Sequence, residues 1–162
     1  MFDALYIYFK EEKAESLWFI LIGIFSILFS IWLFIKFKEG FYRGLIIPVV
    51  LISLIQLTVG TTVYFRTDKQ IEIIVDQLKV DKQSAQTEEL VRMEMVMKNF
   101  KIYKWIEFLF ILSGVLLLIF ITDKPFWSGI GAGLLIEGTF MIVLDVIAEM
   151  RGAKYLEWLQ QF

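Results

Sequence analysis

Four long apolar runs alternate with polar segments along the chain, and this alternation predicts the architecture. The runs cover residues 17–35, 45–65, 105–122 and 126–148, and the first two hold no charged residue. Each reaches the roughly 18–20 residues that a helix needs to cross about 30 Å of hydrocarbon. The pattern therefore predicts an all-α membrane protein with a four-helix transmembrane bundle. A cleaved signal peptide is the less favoured interpretation of the first run, because its apolar stretch is too long and more acids than bases precede it.

The one long polar segment, residues 66–104, lies between the second and third runs. Thr67-Asp68-Lys69-Gln70 resembles a capping box, and apolar residues then follow at helical spacing: Ile71, Ile74, Val75 and Leu78. After a polar break at 82–86, Thr87 with Glu88 and Glu89 predicts the start of a second helix that runs unbroken into the third span. We expect the two halves to pack on each other as an antiparallel helical hairpin outside the membrane.

Both chain ends carry apolar residues on one helical face. At the amino end these are Phe2, Leu5, Tyr6 and Phe9, and at the carboxyl end they are Tyr155, Leu159 and Phe162. Such stripes beside charged residues are typical of amphipathic helices that lie in the membrane interface. We therefore expect an amphipathic helix at each end of a single membrane domain that spans residues 1–162.

The distribution of basic residues predicts the orientation in the membrane. The amino end, the hairpin and the carboxyl end hold two, eight and two lysines and arginines, whereas the two tight turns at the opposite end hold the other four of the 16. The positive-inside rule then places both termini and the hairpin in the cytoplasm, although the hairpin also carries seven acids. The expected location is the bacterial inner membrane.

The composition excludes several kinds of chemistry. The chain has no cysteine and no histidine, which removes disulfides, thiol redox chemistry and zinc sites with nitrogen or sulfur ligands. No cofactor or metal is predicted, and an enzyme is the least favoured class because clusters of histidines or of acids at the interface are absent. A formal net charge of −2 gives no basic face, so we expect no nucleic-acid partner. The predicted partners are the lipid bilayer and a protein, either another kind or a second copy.

A set of polar residues falls near the middle of the predicted spans. Reading depth from the span ends predicts an intramembrane polar site made of Glu137, Gln56, Ser26 and Ser113. A carboxyl at the centre of a span costs about 2.5–3.5 kcal/mol, so Glu137 should be neutral, hydrogen-bonded or ion-binding. One interpretation is a proton or cation site. The other is a protonated acid that bonds Gln56 and holds the helices in register.

Two further acids lie about one helical turn from the predicted cytoplasmic face. Glu107 and Asp145 fall at the same depth as Arg66, Lys104 and Arg151. Because charges in membranes pair with one another, we expect an inner-leaflet ion-pair cluster that ties the second, third and fourth spans together. Asp145 lies eight residues from Glu137, about 12 Å along the helix, so the two cannot share one ion directly. A relay between them stays open.

Small residues and methionines complete the pattern. Gly129-x-Gly131-x-Gly133 indicates close helix packing, either inside the bundle or across a dimer. Met93, Met95 and Met97 form a candidate partner surface, since methionine recurs on adaptable binding surfaces. Met93 and Met97 also lie on the apolar stripe of the hairpin, where packing is the more favoured role.

Two blocks carry a resemblance to a known kind of protein. Tyr64-Phe65-Arg66-Thr67-Asp68-Lys69-Gln70 and Met97-Lys98-Asn99-Phe100-Lys101-Ile102-Tyr103 resemble uncharacterised small four-span proteins of bacterial inner membranes. The resemblance implies no activity and no catalytic residues. The sequence favours a non-enzymatic membrane protein that binds a protein partner, such as a toxin-immunity protein or an accessory subunit of a membrane complex. The alternative is a small proton- or cation-coupled transporter or channel component that uses Glu137.

Overall fold

The computed structural model describes residues 3–161, and these form four α-helices joined by short turns. The helices are α1 (Asp3–Lys36), α2 (Gly40–Val80), α3 (Lys82–Phe120) and α4 (Pro125–Gln161). Each one is long and apolar enough to cross a membrane, which supports a multi-pass membrane protein and confirms the predicted all-α, four-helix fold. At 34 to 41 residues the helices are about 50–60 Å long. Each helix is therefore longer than the roughly 30 Å thickness of a bilayer's hydrocarbon.

The polar segment between the second and third spans is a helical hairpin, but its helices begin elsewhere than predicted. Thr67 lies inside α2, where its hydroxyl donates to the carbonyl of Val63 at 2.6 Å, so no new helix starts there. The chain turns at Asp81, whose carboxylate accepts hydrogen bonds from the backbone N–H groups of Gln83 and Ser84. The predicted break at 82–86 is the first turn of α3. Extending an existing helix costs less than nucleating another one, and the Asp81 cap satisfies the new end.

The terminal segments also differ from the prediction, because they pack on the hairpin instead of lying separately in the interface. They are the first turns of α1 and the last turns of α4. Their apolar faces meet the stripes of α2 and α3 in one buried cluster of Leu5, Tyr8, Phe9, Ile74, Val75, Leu78, Ala85, Met93, Tyr155 and Leu159. Tyr8 and Tyr155 stack with ring centroids 4.3 Å apart. Phe2 and Phe162 of the predicted stripes lie outside the described residues. We call this part of the molecule, with the hairpin, the polar-end bundle.

The apolar part of the molecule is built around a central pair of helices. α2 and α4 pack on each other, α1 packs on α2, and α3 packs on α4. The predicted glycines form the seams. A Cβ on Gly129 would lie 1.9 Å from the carbonyl oxygen of Phe41 in α2, and one on Gly131 would lie 2.9 Å from the carbonyl oxygen of Gly114 in α3. The glycine-rich turn of α4 therefore faces two helices of the same chain, which settles its role as packing inside the bundle.

Candidate functional site

The mid-span carboxyl of Glu137 meets one of its predicted partners. Gln56 on α2 donates from Nε2 to Oε2 of Glu137 on α4 at 3.2 Å, and both side chains are buried. The central pair of helices brings them together because Gly133, one turn earlier on α4, lets the two backbones approach. The other amide atom, Oε1 of Gln56, has no hydrogen-bond partner among residues 3–161. This pair can therefore accept one more hydrogen bond from a proton donor.

The two serines predicted for this site are not part of it. Ser113 is exposed on α3, because it precedes the buried Gly114 by one residue and points about 100° away around the helix. Ser26 is half-buried on α1, which packs mainly on α2, and no hydrogen bond joins it to Glu137 or Gln56. The sequence prediction grouped these residues by depth along each span, and depth alone does not give the direction of a side chain. The intramembrane site thus consists of Glu137 and Gln56.

A second pair of buried polar groups joins α3 to α4. Glu107 and Asp145 are only 2% and 7% exposed. Their carboxyl groups lie close enough to interact electrostatically. Within residues 3–161, no donor lies in hydrogen-bond geometry to either carboxyl oxygen of Glu107 or to Oδ2 of Asp145. Gly138 lets α3 and α4 approach at this level, since a Cβ there would lie 3.2 Å from the carbonyl oxygen of Glu107. The result is a buried carboxyl pair that lacks donors.

The predicted ion-pair cluster around these two acids is wrong. Its three bases pair with other acids, all nearer the polar end of the molecule: Arg66 with Glu12 at 3.5 Å, Lys104 with Glu149, and Arg151 with Glu15. The sequence prediction missed this because it placed the amino-terminal segment apart, in the interface, whereas α1 brings Glu12 and Glu15 against the other helices. The charge of Lys104 still acts on Glu107 and Asp145, but its ammonium group is held by Glu149.

The polar-end bundle contains a buried polar group that the sequence did not predict. Arg92 donates two hydrogen bonds to Glu89, at 2.6 and 2.7 Å, and its guanidinium lies 5.6 Å from the ring centroid of Phe9. Burial raises the pKa of Tyr8 to about 12, with the charge of Glu12 adding to the effect. Burial also raises the pKa of Glu12, against the opposing charges of Arg66, Arg92 and Arg151. The sequence signal that could have predicted this group is an acid and a base three residues apart, Glu89 and Arg92, beside the apolar stripe of α3.

The three candidate methionines have different surroundings. Met93 is fully buried in the core of the polar-end bundle. Met97 packs on α4, where its sulfur lies 3.1 Å from the position of a Cβ on Gly152. Met95 is 62% exposed, and Val91 and Ile102 are exposed on the same face of α3. Only Met95 of the three remains available to a partner.

Three acids, of which Glu137 and Asp145 are buried and Glu149 is partly buried, follow α4 toward the polar end. Glu137, Asp145 and Glu149 are separated by eight and four residues, about 12 Å and 6 Å along the helix. Residues 3–161 contain no group of three or more acidic side chains arranged to hold a metal ion. A comparison of the chain with known protein families, curated proteins and solved structures found no match in any of the three.

Proposed function

We propose that this protein binds and passes protons at buried carboxyl groups in the membrane, as a component of a proton-coupled assembly. The observation that supports it is the Glu107–Asp145 pair, where no group of residues 3–161 donates a hydrogen bond to either oxygen of Glu107. Two adjacent carboxylates repel each other, and burial penalises their charges further. A proton shared between them supplies the missing donor and removes one charge. The pair is therefore built to hold a proton rather than to form a salt bridge.

Glu137 and Gln56 provide a second proton-binding position on the same helix. The open acceptor of Gln56 and the carboxyl of Glu137 lie together about 12 Å from Asp145 along α4. That separation requires a water chain between the two positions. A proton suits these positions better than a divalent cation, because the described residues offer no third carboxylate ligand at either one.

Structural acids held neutral are the competing explanation, and the two pairs differ in how well they fit it. Glu137 has a donor in Gln56, as a carboxyl that only holds helices in register would need. Glu107 has none, and each buried oxygen without a partner costs about 1–3 kcal/mol. The Glu107–Asp145 pair is therefore what favours a proton-binding role.

Proton flux into liposomes tests this function. The purified protein is reconstituted with an entrapped pH indicator, and a potassium diffusion potential drives the protons. We expect flux above that of empty liposomes, and a loss of at least about tenfold in Glu107→Gln and in Glu137→Gln, in line with the loss of a proton-transfer group. Glu94→Gln, an exposed acid on the hairpin part of α3, is the matched control and should keep its flux. No flux in the parent, or full flux in both buried variants, would overturn the proposal.

We further propose that the termini and the hairpin lie in the bacterial cytoplasm. Twelve of the 16 basic residues lie at this end, and the polar-end bundle keeps the termini and the hairpin together. The chain has no cysteine, so single cysteines report cleanly. An impermeant thiol reagent added to intact cells should label Glu39→Cys and leave Ser84→Cys unlabelled; the reverse pattern would invert the orientation.

A second candidate function is binding of a partner through the exposed stripe of α3, made of Val91, Met95 and Ile102. These three side chains are exposed on one face, and Ile106 continues the face into the apolar span. A partner that covers the whole stripe must itself be a helix that enters the same membrane, which a second copy of this chain supplies. A pair of copies also has eight helices, which can surround a proton path more fully than four.

Disulfide cross-linking tests this surface in native membranes. Met95→Cys should give a band at twice the mass of the chain on mild oxidation. Lys79→Cys, which is exposed on α2 away from the stripe, should not. A cross-link from Met95→Cys to a protein of another mass would assign the surface to a different partner, and no cross-link would remove this candidate.

A further inference from the structure

A groove on the outer side of α3 has no role in the functions proposed above. It is an open, shallow depression of about 460 Å³ and is lined by Lys101, Lys104, Trp105 and Phe108, all from α3. It lies where the third apolar run begins, so one end is basic and the other is apolar. α3 has the least buried apolar window of the four helices, so this side faces the surroundings and not another helix of the chain.

The basic end of the groove combines one paired lysine with lysines that have no acid partner among residues 3–161. Lys98 and Lys101 are exposed, and neither forms an ion pair among residues 3–161. Lys104 is half-buried and fixed by Glu149, which holds its ammonium at the groove. The three lysines recur every three residues, so they form one basic ridge that descends toward the membrane. This ridge can attract an anion from the membrane surface.

The apolar end is formed by aromatic side chains at the level of the membrane boundary. Trp105 is 67% exposed and Phe108 is also exposed. Tryptophan at this level is typical of the headgroup region, and an exposed phenylalanine one turn deeper faces acyl chains. An inorganic phosphate can bind only the lysines, whereas a phospholipid can contact the lysines with its headgroup and the aromatic side chains with an acyl chain.

We propose that this groove binds an anionic phospholipid, with the headgroup phosphate between Lys101 and Lys104 and an acyl chain along Trp105 and Phe108. Lysines near a membrane surface attract anionic lipid by an amount that corresponds to about fivefold in affinity for each charge. The site rests on charge and shape at α3 and is independent of the buried acids. The proposal predicts that the protein prefers anionic phospholipids to zwitterionic ones.

Fluorescence quenching by brominated lipids tests the site directly. The protein is reconstituted in phosphatidylcholine that contains either brominated phosphatidylglycerol or brominated phosphatidylcholine, and the contribution of Trp105 is obtained by difference from Trp105→Phe. We expect the brominated anionic lipid to quench Trp105 at several-fold lower mole fraction than the brominated zwitterionic lipid. Equal quenching by the two lipids would overturn the proposal.

Variants of the lysines separate a site from a general surface effect. Lys101→Gln should weaken the anionic preference by about fivefold, Lys101→Arg should retain it, and Lys36→Gln at the opposite end of α1 should not change it. An unchanged preference in Lys101→Gln would show that the groove is not the site. Displacement of the lipid by millimolar inorganic phosphate would also overturn the assignment, since it would identify free phosphate as the ligand.

Discussion

The apolar part of the molecule and the polar-end bundle hold the same four helices together by different means. In the apolar part the helices meet at glycines, with backbone against backbone, at Gly44, Gly129 and Gly131. In the polar-end bundle they meet through large side chains such as Phe9, Met93 and Leu159, all fully buried. Lipid offers no hydrophobic gain for bringing apolar helices together, so close backbone contact is what remains, whereas water rewards the burial of large side chains.

Their charged groups differ in the same way. In the polar-end bundle the bases find acids, as in Arg66 with Glu12 and Arg151 with Glu15. In the apolar part neither Glu107 nor Asp145 forms an ion pair with a base among residues 3–161, because the nearby Lys104 pairs with Glu149. The glycine contacts already hold these helices together, so ion pairs in the apolar part would add little to the free energy of unfolding. If the proposed function holds, the polar-end bundle contributes mainly to stability and the acids of the apolar part bind the protons.

The largest expected effect is on the polar-end bundle. Phe9→Ala removes a fully buried ring and should lower the free energy of unfolding by about 3–5 kcal/mol. Ile7→Ala on the same helix removes an exposed side chain and should change it by less than about 0.5 kcal/mol. Denaturant unfolding in detergent, followed by circular dichroism, measures both. If stability and chemistry reside in different halves, the proton flux of folded Phe9→Ala should equal that of the parent; equal stability of the two variants would contradict the packed core.

Overpacking a seam of the apolar part should have the next largest effect. Gly129→Ala places a Cβ 1.9 Å from the carbonyl oxygen of Phe41, so the backbones of α2 and α4 must separate. The expected loss is about 1–3 kcal/mol. Gly40→Ala near the same turn is the control, because its Cβ would meet Phe126 at an ordinary 3.6 Å. The same unfolding assay compares the two, and equal losses would show that the seam is not limited by backbone contact.

A smaller effect depends on pH and belongs to the polar-end bundle alone. Burial raises the folded-state pKa of Glu12 above its ordinary value of 4.5, so the folded state binds this proton more tightly than the unfolded state does. The stability from this group is therefore complete below pH 4.5 and is lost as the pH rises through the raised pKa. Glu12→Gln should flatten this part of the stability profile between pH 4 and neutrality. A parent protein that gains stability over that range relative to Glu12→Gln would reverse the sign and contradict the burial effect.

How far the sequence predicted the molecule follows from the same comparison. The apolar runs predicted the four helices, and Gly129-x-Gly131-x-Gly133 predicted a closely packed face of α4. Gln56 and Glu137 were paired correctly, since few polar groups compete for partners at that depth. Ser113 was placed wrongly, because a shift of one residue turns a side chain by about 100°.

The polar end was harder to predict because several arrangements of its segments satisfy the same stripes. The apolar faces of residues 3–15 and 152–161 fit a membrane interface as well as they fit the hairpin. Only the tertiary arrangement brings Tyr8 onto Tyr155 and Glu15 onto Arg151. Since the partners of Arg66 and Arg151 depend on where residues 3–15 lie, one displaced segment changed the partners of both arginines. Local pattern predicts which face is buried, but not what covers it.

The smallest structural effect and the clearest functional one should come from a single substitution in the apolar part. Glu137→Gln keeps the volume and an acceptor for Nε2 of Gln56, so the free energy of unfolding should change by no more than about 1 kcal/mol. Gln56→Leu is the contrasting variant, because it removes the donor and leaves the buried carboxyl unpaired, at a cost of about 1–3 kcal/mol. If Glu137 carries protons, Glu137→Gln folds normally and loses flux. If it only holds α2 and α4 in register, Glu137→Gln retains flux, and Gln56→Leu alone is impaired, in stability. Measuring unfolding and flux on both variants therefore separates a proton-binding carboxyl from a packing contact.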